Sequence, residues 1–447
     1  MNVYFIIAFR NLVQARRRTL LLSLALGTVT ALLVMLLALS QGISETMVRT
    51  ATALSAGHVN VAGFNKSKPS DAAPIVADAA TVRKIVEENT PGLDFVVDRQ
   101  RGWGRLVSDT SSLQAGLSGI DVKEESKLFE VLQLAKESDY MEGGRDVVVG
   151  DPKKLSEKGQ ALIFVAQAKR LGVRVGDAVT MNIETYNGAR NTMDLTVAAV
   201  AKDVGFMSNW SVFTGKETIL EIYRLSPKVT GSIMVHLKDE AQSEAVMGHL
   251  REVFTNKGYR IMDHDPQPFW MKFDTVAGED WTGQKLDLTI WKDEVSFLAW
   301  VLSAINGVSF FLVGILMIII GIGIMNNMWI AVRERTQEIG TLRAIGMHRS
   351  RTLLMFLTEA LLLGLFATTV GALSGAVIAS LLDAAHLHIP VDAVQAILMS
   401  DTLHLVVVAP QVIGSIFFFT VITGISAIWP AMRAANLEPI TAIHQVG

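Results

Sequence analysis

The sequence of 447 residues contains no cysteine, so a disulfide framework and a thiolate metal site are both excluded. The formal net charge is -3 at pH 7, which argues against the strongly basic surface that nucleic-acid binding requires, and we expect no nucleic-acid partner. Apolar residues, in contrast, make up 50% of the chain. The mean hydropathy of +0.37 is high for a soluble globular protein.

The motifs of common catalytic and nucleotide-binding sites are also missing. No G-x-x-x-x-G-K-[ST] phosphate loop occurs, and the similar segment TGKET at Thr214–Thr218 lacks both the spacing and the hydroxyl after the lysine. H-E-x-x-H and G-x-S-x-G are absent as well. His386 and His388 are close in sequence but have no obvious further ligands. We expect no catalytic residue, no metal site, no cofactor bound by this chain and no enzyme activity of its own.

Four apolar runs are long enough to cross a bilayer as helices. They are Thr19–Leu39, Phe297–Ile330, Thr352–Leu382 and Val406–Ala431. None contains a lysine or an arginine, which argues against four buried helices of a soluble protein. The first run follows Arg16-Arg17-Arg18 and precedes a passable cleavage site, but it is longer than the apolar part of a signal peptide. We predict an uncleaved membrane helix preceded by a short amphipathic helix.

Arginines near the ends of the runs predict the orientation in the membrane. Four lie in the N-terminal segment, and five lie between the second and third runs. The connection between the third and fourth runs, residues 383–405, has no lysine or arginine and contains three aspartates. Both termini are therefore expected in the cytoplasm. The long segment between the first two runs and the connection 383–405 are expected outside.

The segment between the first two runs, residues 43–295, has the patterns of a folded domain. Alternating apolar and polar residues in HVNVAG, DAVTMNIET and NTMDLTVAAV predict strands. Gly231–Leu237, Asp239–Tyr259 and Arg260–Asp265 have the order of a strand, a helix closing at Lys257-Gly258, and a second strand. The expected fold class is integral membrane α-helical, with four transmembrane helices, plus a large α+β extracytoplasmic domain inserted between helices 1 and 2.

A short charged segment, Val332–Arg351, separates two of the most apolar runs. Ile339, Leu342 and Ile345 recur at helical spacing and predict one apolar stripe of an amphipathic helix. The other faces carry charged residues, namely Arg335, Glu338 and Arg343. Such a helix suits docking in a groove of a partner protein. A solvated, arginine-rich loop is the alternative, and the charges alone do not decide between them.

Glycines and one carboxylate add to this picture. The glycines with small-residue spacing in the second and third runs are Gly307, Gly314, Gly321, Gly371 and Gly375. They predict close helix packing, either within the chain or between two copies. In the charged segment, Gly340 and Gly346 predict close approach of another backbone or a helix end at Gly346. Glu359 lies inside the third run, where it has either a functional role or a structural one in which it hydrogen-bonds a neighbouring helix or reaches the interface.

Three segments resemble MacB/FtsX-type ABC permeases. Asn326–Arg351 is similar to the family segment E-R-x-x-E-I-G-x-L-R-A-x-G that follows the second span. Ala427–Gln445 is similar to the family ending P-A-x-R-A-A-x-x-x-P-x-x-A-L, with Ile443 where leucine is common. Ala8–Gly27 resembles the N-terminal elbow and first span.

The resemblance covers the whole layout and implies nine segments. They are a cytoplasmic elbow helix (1–18), transmembrane helix 1 (19–42), a periplasmic MacB-like domain (43–295), transmembrane helix 2 (296–331), a cytoplasmic coupling helix (332–351), transmembrane helix 3 (352–382), a periplasmic loop (383–405), transmembrane helix 4 (406–431) and a cytoplasmic tail (432–447).

In such permeases the coupling helix docks on a cytoplasmic ATPase. The resemblance implies this role for Glu334, Arg335, Glu338, Ile339, Gly340, Leu342, Arg343 and Gly346. It also implies mechanotransmission in the inner membrane, with ATP and Mg used by a separate ABC ATPase subunit because no ATPase is fused here. Four spans imply a dimer with a second copy or a paralogue. A periplasmic adaptor or acceptor protein and membrane lipid are further expected partners.

Two functional classes fit this resemblance. The first is export or extraction of an amphiphilic substrate, such as a lipoprotein, lipid, peptide or drug, from the outer face of the inner membrane. The large external segment favours this class, and the layout favours lipoprotein or other lipid-linked cargo. The second is a signalling permease that transports nothing and activates a periplasmic partner such as a cell-wall hydrolase.

Overall fold

The computed structural model describes residues 3–14 and 16–437. Parts of the predicted elbow (residues 1, 2 and 15) and of the predicted tail and C-terminal motif (residues 438–447) lie outside the described residues. The α-helices of the described part are α1 Val3–Gln14, α2 Arg16–Leu54, α3 Ala79–Asn89, α4 Ser126–Val131, α5 Glu137–Tyr140, α6 Val165–Leu171, α7 Lys216–Ile222, α8 Ser243–Asn256, α9 Phe273–Gly278, α10 Trp291–Glu294, α11 Ser296–Glu334, α12 Thr336–Ala344, α13 Arg349–Ala384, α14 Asp392–Leu398 and α15 Ala409–Ala435.

The strands of the described part all lie between α2 and α11. They are β1 Val59–Lys66, β2 Leu93–Val107, β3 Ser112–Ile120, β4 Gln160–Phe164, β5 Ala178–Glu184, β6 Arg190–Ala201, β7 Ser211–Gly215, β8 Ser232–Leu237 and β9 Gly283–Ile290. Short 3-10 helices cover Pro152–Ser156, Gly205–Asn209, Glu240–Gln242 and Phe269–Met271.

Contacts divide the described residues into two units. The first, which we call the membrane bundle, comprises the described residues up to 45, residues 302–388 and residues 402–437. The second, the inserted domain, comprises residues 46–301 together with residues 389–401. Part of the connection predicted as a separate loop, residues 383–405, thus belongs to the inserted domain. Within that domain Lys202 Nζ lies 4.0 Å from the carboxylate of Asp401.

Within the described part of the chain, four helices are long and apolar enough to cross a membrane: Thr19–Leu54, Leu298–Glu334, Arg349–Ala384 and Ala409–Ala435. In the bundle α13 packs along α15, where the hydroxyls of Thr368 and Thr420 lie 3.2 Å apart. The apolar core of the bundle draws buried residues from all four helices, among them Leu33, Ile324, Phe356 and Phe419. The chain is therefore a multi-pass membrane protein with a large α+β domain between its first two long helices.

The long helices do not begin and end where the apolar runs do. The first span was predicted as residues 19–42, but α2 continues unbroken to Leu54, a length of roughly 58 Å at 1.5 Å per residue. A bilayer core is only about 30 Å thick, so α2 extends well beyond it. Its last turns contain Glu45 and Arg49, which end the apolar run without ending the helix. Helix α15 begins at Ala409, later than the apolar run, because Pro410 fits the first turn of a helix.

The nine strands of the inserted domain form one sheet in the order β3-β7-β4-β6-β5-β2-β8-β1-β9, and β2 also pairs with β3. This additional pairing closes six strands into a barrel and leaves β8, β1 and β9 as an open extension. The barrel surrounds an apolar cluster that includes Leu106, Met181 and Val197. A second cluster lies between the open extension and helices α3 and α8. Strand β2, 15 residues long, belongs to both halves.

Most of the predicted strands are present. HVNVAG lies at the start of β1, DAVTMNIET contains β5, and NTMDLTVAAV lies in β6. The predicted second strand after α8, Arg260–Asp265, is wrong: only Ile261 bridges to another strand, in parallel with Leu286 of β9. The helix before it closes as expected, with Gly258 at φ +84°. Strand β9 pairs with β1 at eight positions along one edge, and the polar run Asp263-His264-Asp265 forms no ladder along the other edge.

Candidate coupling site

The charged segment between α11 and α13 folds as the short helix α12, separated from α11 by Arg335. The hydroxyl of Thr336 donates to the carbonyls of Val332 and Arg333, which satisfies two acceptors at the end of α11. At the other end Gly346 has φ +104°. The amide of Gly346 donates to the carbonyl of Arg343, and the amide of Met347 donates to the carbonyl of Leu342. This pair of bonds is a Schellman motif, so the helix end expected at Gly346 is present.

The side chains of α12 divide into two faces with a spacing of about four residues. Arg335, Ile339 and Arg343 face the membrane bundle and contact it. Glu338, Leu342 and Ile345 lie on the exposed face. The predicted single stripe of Ile339, Leu342 and Ile345 is therefore wrong. Ile339 is 1% exposed, whereas Leu342 is 38% exposed and Ile345 is 80% exposed.

Arg335 forms an ion pair with Glu359 of α13. Its Nη1 lies 2.9 Å from Glu359 Oε2, and the two side chains are 15% and 5% exposed. With the Asn11 amide oriented to satisfy both of its groups, its oxygen also accepts a bond from Arg335 Nη1 at 3.1 Å. Arg335 thus links α1 and α13 to the start of α12. The carboxylate of Glu359 thus has a hydrogen-bond partner on a neighbouring element, as the structural alternative for this residue expects.

Glu359 also lines a small cavity between α1, α2, α11, α13 and α15, with Leu12, Leu26 and Asn327 among its neighbours. The cavity volume is about 30 Å³, more than the roughly 10–15 Å³ that one water molecule needs. The carboxylate therefore sits at a polar point in an otherwise apolar bundle.

Arg343 links the other end of α12 to α15. Its Nη1 donates to the carbonyl of Ala435 at 2.9 Å and also to the carbonyl of Leu437. Ala435 is the last residue of α15, where helix acceptors lack intrahelical partners and a cation is favourable, and Leu437 lies two residues beyond it. Arg343 therefore connects α12 to the end of α15.

Ile339 and Gly340 are both buried. Ile339 belongs to the apolar core of the bundle, together with Phe356 of α13 and Ala431 and Ala434 of α15. A partner cannot contact its side chain without opening the bundle. The implied set of eight coupling residues therefore separates, with Arg335, Ile339, Gly340 and Arg343 turned inward, Glu334, Glu338 and Leu342 exposed, and Gly346 exposed at the helix end.

Sequence reasoning missed two residues of this site. Asn11 was not singled out, and it is one of three polar residues, with Arg10 and Gln14, in the otherwise apolar α1. Ile345 was placed on the stripe but not among the coupling residues. Ile345 is the C-cap of α12, and its 80% exposure makes it the most exposed apolar side chain of the segment. The candidate coupling site is the exposed face formed by Glu338, Leu342 and Ile345.

The membrane glycines have different surroundings. A Cβ atom on Gly371 would collide with the backbone of Gly27, and one on Gly375 would lie 2.6 Å from the carbonyl oxygen of Ala31. The G-x-x-x-G pair of α13 thus packs within the chain, against α2. The three glycines of α11 differ: a Cβ on Gly321 would lie 3.2 Å from Ser426 Oγ, and Gly307 and Gly314 have no other described atom within 4 Å of that position.

Two sequence families match the chain. Residues 19–253, more than half of the chain, match the MacB-like periplasmic core domain. Residues 310–439 match the FtsX-like permease C-terminal family. The second match begins within α11 and includes α12, α13, α14 and α15.

Individual relatives match over shorter segments. The macrolide export ATP-binding/permease protein MacB of Nitrobacter winogradskyi is 39% identical over 146 residues, which are 32% of this chain and 19% of that protein. An uncharacterized ABC transporter permease, YvrN, of Bacillus subtilis is 32% identical over 122 residues, 27% of this chain and 26% of that protein. The pyoverdine export ATP-binding/permease protein PvdT of Pseudomonas savastanoi is 38% identical over 124 residues, 28% of this chain and 16% of that protein. The matches thus span about a quarter or less of these relatives.

Solved structures similar to part of the chain include the periplasmic region of MacB from Actinobacillus actinomycetemcomitans. It is 16% identical, with a TM-score of 0.29, and the match covers 48% of this chain and 89% of that one. The extracellular domain of the ABC-type transporter YknZ from Gram-positive bacteria is 13% identical, with a TM-score of 0.29, and covers 44% of this chain and 95% of that one.

Proposed function

The chain belongs to the MacB/FtsX family of ABC transporter permeases, and on that premise we propose that it passes motion from a cytoplasmic ABC ATPase to its inserted domain by mechanotransmission. ATP and Mg are used by the ATPase. The permease acts as a dimer in the inner membrane, with both termini in the cytoplasm and the inserted domain outside. Its substrate is an amphiphile, such as a lipoprotein, lipid, peptide or drug, taken from the outer face of that membrane.

The observation that carries this proposal is the division of α12 into two faces. The inward face is fixed to α13 and α15, through the Arg335–Glu359 ion pair, the buried Ile339 and the bonds of Arg343 to the end of α15. A helix attached in this way cannot be displaced without moving α13 and α15. A force applied to α12 would therefore reach the membrane helices.

The outward face has the composition of a docking helix. Ile345 and Leu342, three residues apart, present adjacent apolar side chains, and Glu338 lies one turn before Leu342. Arg349 and Arg351 continue the exposed surface at the start of α13. We expect the apolar pair to occupy a groove of the ATPase, with the charged residues setting register and specificity.

The experiment compares tagged full-length chains purified from their native membranes in mild detergent. Ile345→Asp places a carboxylate in the groove and should weaken ATPase binding by about 2 kcal/mol or more, roughly 30-fold. Leu342→Asp should act in the same direction. The measurements are the amount of P-loop ATPase that copurifies and the MgATP hydrolysis rate of the complex.

Val147→Asp is the matched control, because Val147 is 58% exposed and belongs to the inserted domain, not to the unit that contains α12. It should leave both measurements unchanged. Ile339→Asp is unsuitable, since its carboxylate would enter the core of the bundle and disturb folding. Full retention of the ATPase by both Leu342→Asp and Ile345→Asp would refute the docking role of α12.

A cavity in the membrane bundle supports the proposal that the substrate is an amphiphile. It lies between α2, α11 and α15 and has a volume of about 370 Å³. Its polar lining comes from Ser40, Gln41, Ser44, Asn306, Ser309 and Gln411, and its apolar lining from Leu37, Phe310 and Val313. None of these side chains is charged, so the cavity suits the boundary between an uncharged polar group and a hydrocarbon chain.

The orientation and the dimer can be tested with single cysteines, because the natural chain has none. Ser67→Cys should react with a membrane-impermeant thiol reagent once the outer membrane is permeabilised, whereas Gln337→Cys should not. Labelling of Gln337→Cys from outside would reverse the orientation. Gly314→Cys should form a disulfide between two copies, because α11 leaves the position beside Gly314 open. Failure to crosslink would place the dimer contact elsewhere.

A further inference from the structure

Strand β2 changes partners at its centre. Residues 93–99 pair with β8 of the open extension, and residues 100–107 pair with β3 of the barrel. Arg99 and Arg101 flank this change of partner, and because side chains alternate along a strand they lie on the same face. Both side chains are almost fully buried, with 2% and 6% of Arg99 and Arg101 exposed.

Arg99 holds the end of α2. Its Nη1 donates to the carbonyl of Leu54 at 2.8 Å, and its Nη2 donates to the carbonyl of Ala53 at 2.7 Å. Two further bonds of 2.6 Å, from Nε and Nη2, reach the two oxygens of Glu125. The carbonyls are among the last acceptors of α2, which have no intrahelical partner and attract a cation.

Arg101 reaches the segment that leads into α11. Its Nη2 lies 3.5 Å from Glu294 Oε2, and its guanidinium lies 4.2 Å from the ring of Phe269. Glu294 is the last residue of α10, and α11 begins at Ser296. The other carboxylate oxygen of Glu294 accepts a bond of 2.9 Å from the hydroxyl of Thr289 in β9. Glu294 is therefore fixed between β2 and β9.

The planar guanidinium is suited to this task. Each of its nitrogens donates in a fixed direction, so Arg99 can hold one carboxylate and two backbone carbonyls in one arrangement. A lysine at the same place keeps the charge opposite Glu125 but has a single nitrogen. It cannot reach all of these acceptors with the same geometry.

We propose that Arg99 and Arg101 form a two-point joint that fixes the end of α2 and the start of α11 to the centre of β2. Because β2 belongs to both halves of the sheet, a displacement of either helix reaches the barrel and the open extension together. The two arginines are positioning residues. The use of the joint in transport rests on the proposed function, whereas the attachment itself does not.

The attachment is tested by hydrogen–deuterium exchange on the full chain in lipid nanodiscs. In the unaltered protein the last-turn amides of α2, residues 50–55, should be protected to the same degree as the amides of the β2–β8 ladder, because one opening event exposes both. In Arg99→Lys the helix end should exchange about tenfold faster, with the ladder unchanged. A freely fraying α2 end in the unaltered chain would overturn the proposal even if the variant fails to fold.

Arg83→Lys is the matched control. Arg83 pairs with Glu87 and Glu124 in the same domain and donates to the carbonyl of Val96. It has no bond to α2 or α11 among the described contacts. The control should leave the helix end protected, and equal deprotection in both variants would mean a general loss of stability instead of a joint.

The role in transport needs the complex with its ATPase. In the unaltered complex, MgATP with vanadate should change exchange in the inserted domain, and Arg99→Lys should hydrolyse ATP at a rate within about twofold of normal while losing at least half of that change. A response of Arg99→Lys equal to that of Arg83→Lys would overturn the role of the joint. Absence of any response in the unaltered complex would instead count against the proposed function.

Discussion

The ion pair between Arg335 and Glu359 permits a quantitative test of which residues face the membrane bundle. Glu359→Leu leaves a guanidinium that is 15% exposed without its carboxylate partner. Loss of one partner of a buried pair is destabilising by about 3–5 kcal/mol. The bond to Asn11 and the residual exposure of Arg335 place the expected loss near the lower limit, at about 3 kcal/mol.

Replacing both residues should have a much smaller effect. A well-packed apolar pair in place of a buried ion pair is often neutral or stabilising, so Arg335→Met with Glu359→Leu should unfold within about 1 kcal/mol of the unaltered chain. Arg335→Met alone should again be destabilising by about 3 kcal/mol, because the carboxylate of Glu359 then lacks its partner. The interaction energy from this double-mutant cycle should therefore exceed about 3 kcal/mol.

The assay is reversible unfolding of the purified full chain by SDS in mixed micelles, followed by tryptophan fluorescence and circular dichroism. Arg333→Met is the matched control, since Arg333 is exposed at the end of α11, and it should change the free energy by less than about 0.5 kcal/mol. Additive effects of the two single changes would refute the ion pair. If the double variant is stable but loses the ATPase, Arg335 contacts the ATPase after all, and its assignment to the inward face is wrong.

Two further predictions concern the inserted domain. Burial lowers the pKa of His236 from 6.5 to about 3, so the folded state stays neutral while the unfolded state takes up a proton below pH 6.5. The free energy of unfolding of the inserted domain should therefore fall by about 2 kcal/mol from pH 7 to pH 5, measured by thermal or urea unfolding. The substitution His236→Phe, which can still stack on Phe95, should remove this contribution to the pH dependence of stability. A fragment of residues 43–295 should unfold cooperatively, but one ending at Lys285 should not, because it lacks the buried Leu286, Leu288 and Ile290 of β9, together worth roughly 5–9 kcal/mol. An unchanged slope in His236→Phe, or a cooperative melt of the shorter fragment, would contradict the respective prediction.

The sequence predicts the long helices and several strands well because their patterns are local. Apolar runs and period-two alternation depend on residues within about 20 positions. The end of α12 at Gly346 is local as well, since a left-handed residue is needed there and glycine provides it at least strain. The extension of α2 to Leu54 is less visible, because hydropathy reports where lipid ends and not where a helix ends.

The remaining features depend on contacts between distant parts of the chain. The side chains of Ile339 and Leu342 differ in direction by only about 60° around a helix axis. In a helix of nine residues the sequence therefore does not decide which of the two is at the centre of the buried face. The neighbours decide: Glu359 attracts Arg335, and the end of α15 attracts Arg343, which turns Ile339 inward. The closure of the barrel depends in the same way on the pairing of β2 with β5 and of β3 with β7, because β2 and β3 themselves form only a local hairpin. No short window of sequence contains these partners.

Buried contacts link α12 to α13 and α13 to α2 within the membrane bundle, and a separate contact links the end of α2 to β2 within the inserted domain. Arg335 attaches α12 to Glu359 of α13. The glycine pair of α13 then packs directly on the backbone of α2, so closely that neither helix can move sideways without the other. Helix α2 continues without a break to Leu54, whose carbonyl is held by Arg99 of β2. Each of these contacts is buried and lies within one unit. On the proposed function, they are the places where mechanotransmission requires neighbouring elements to move together.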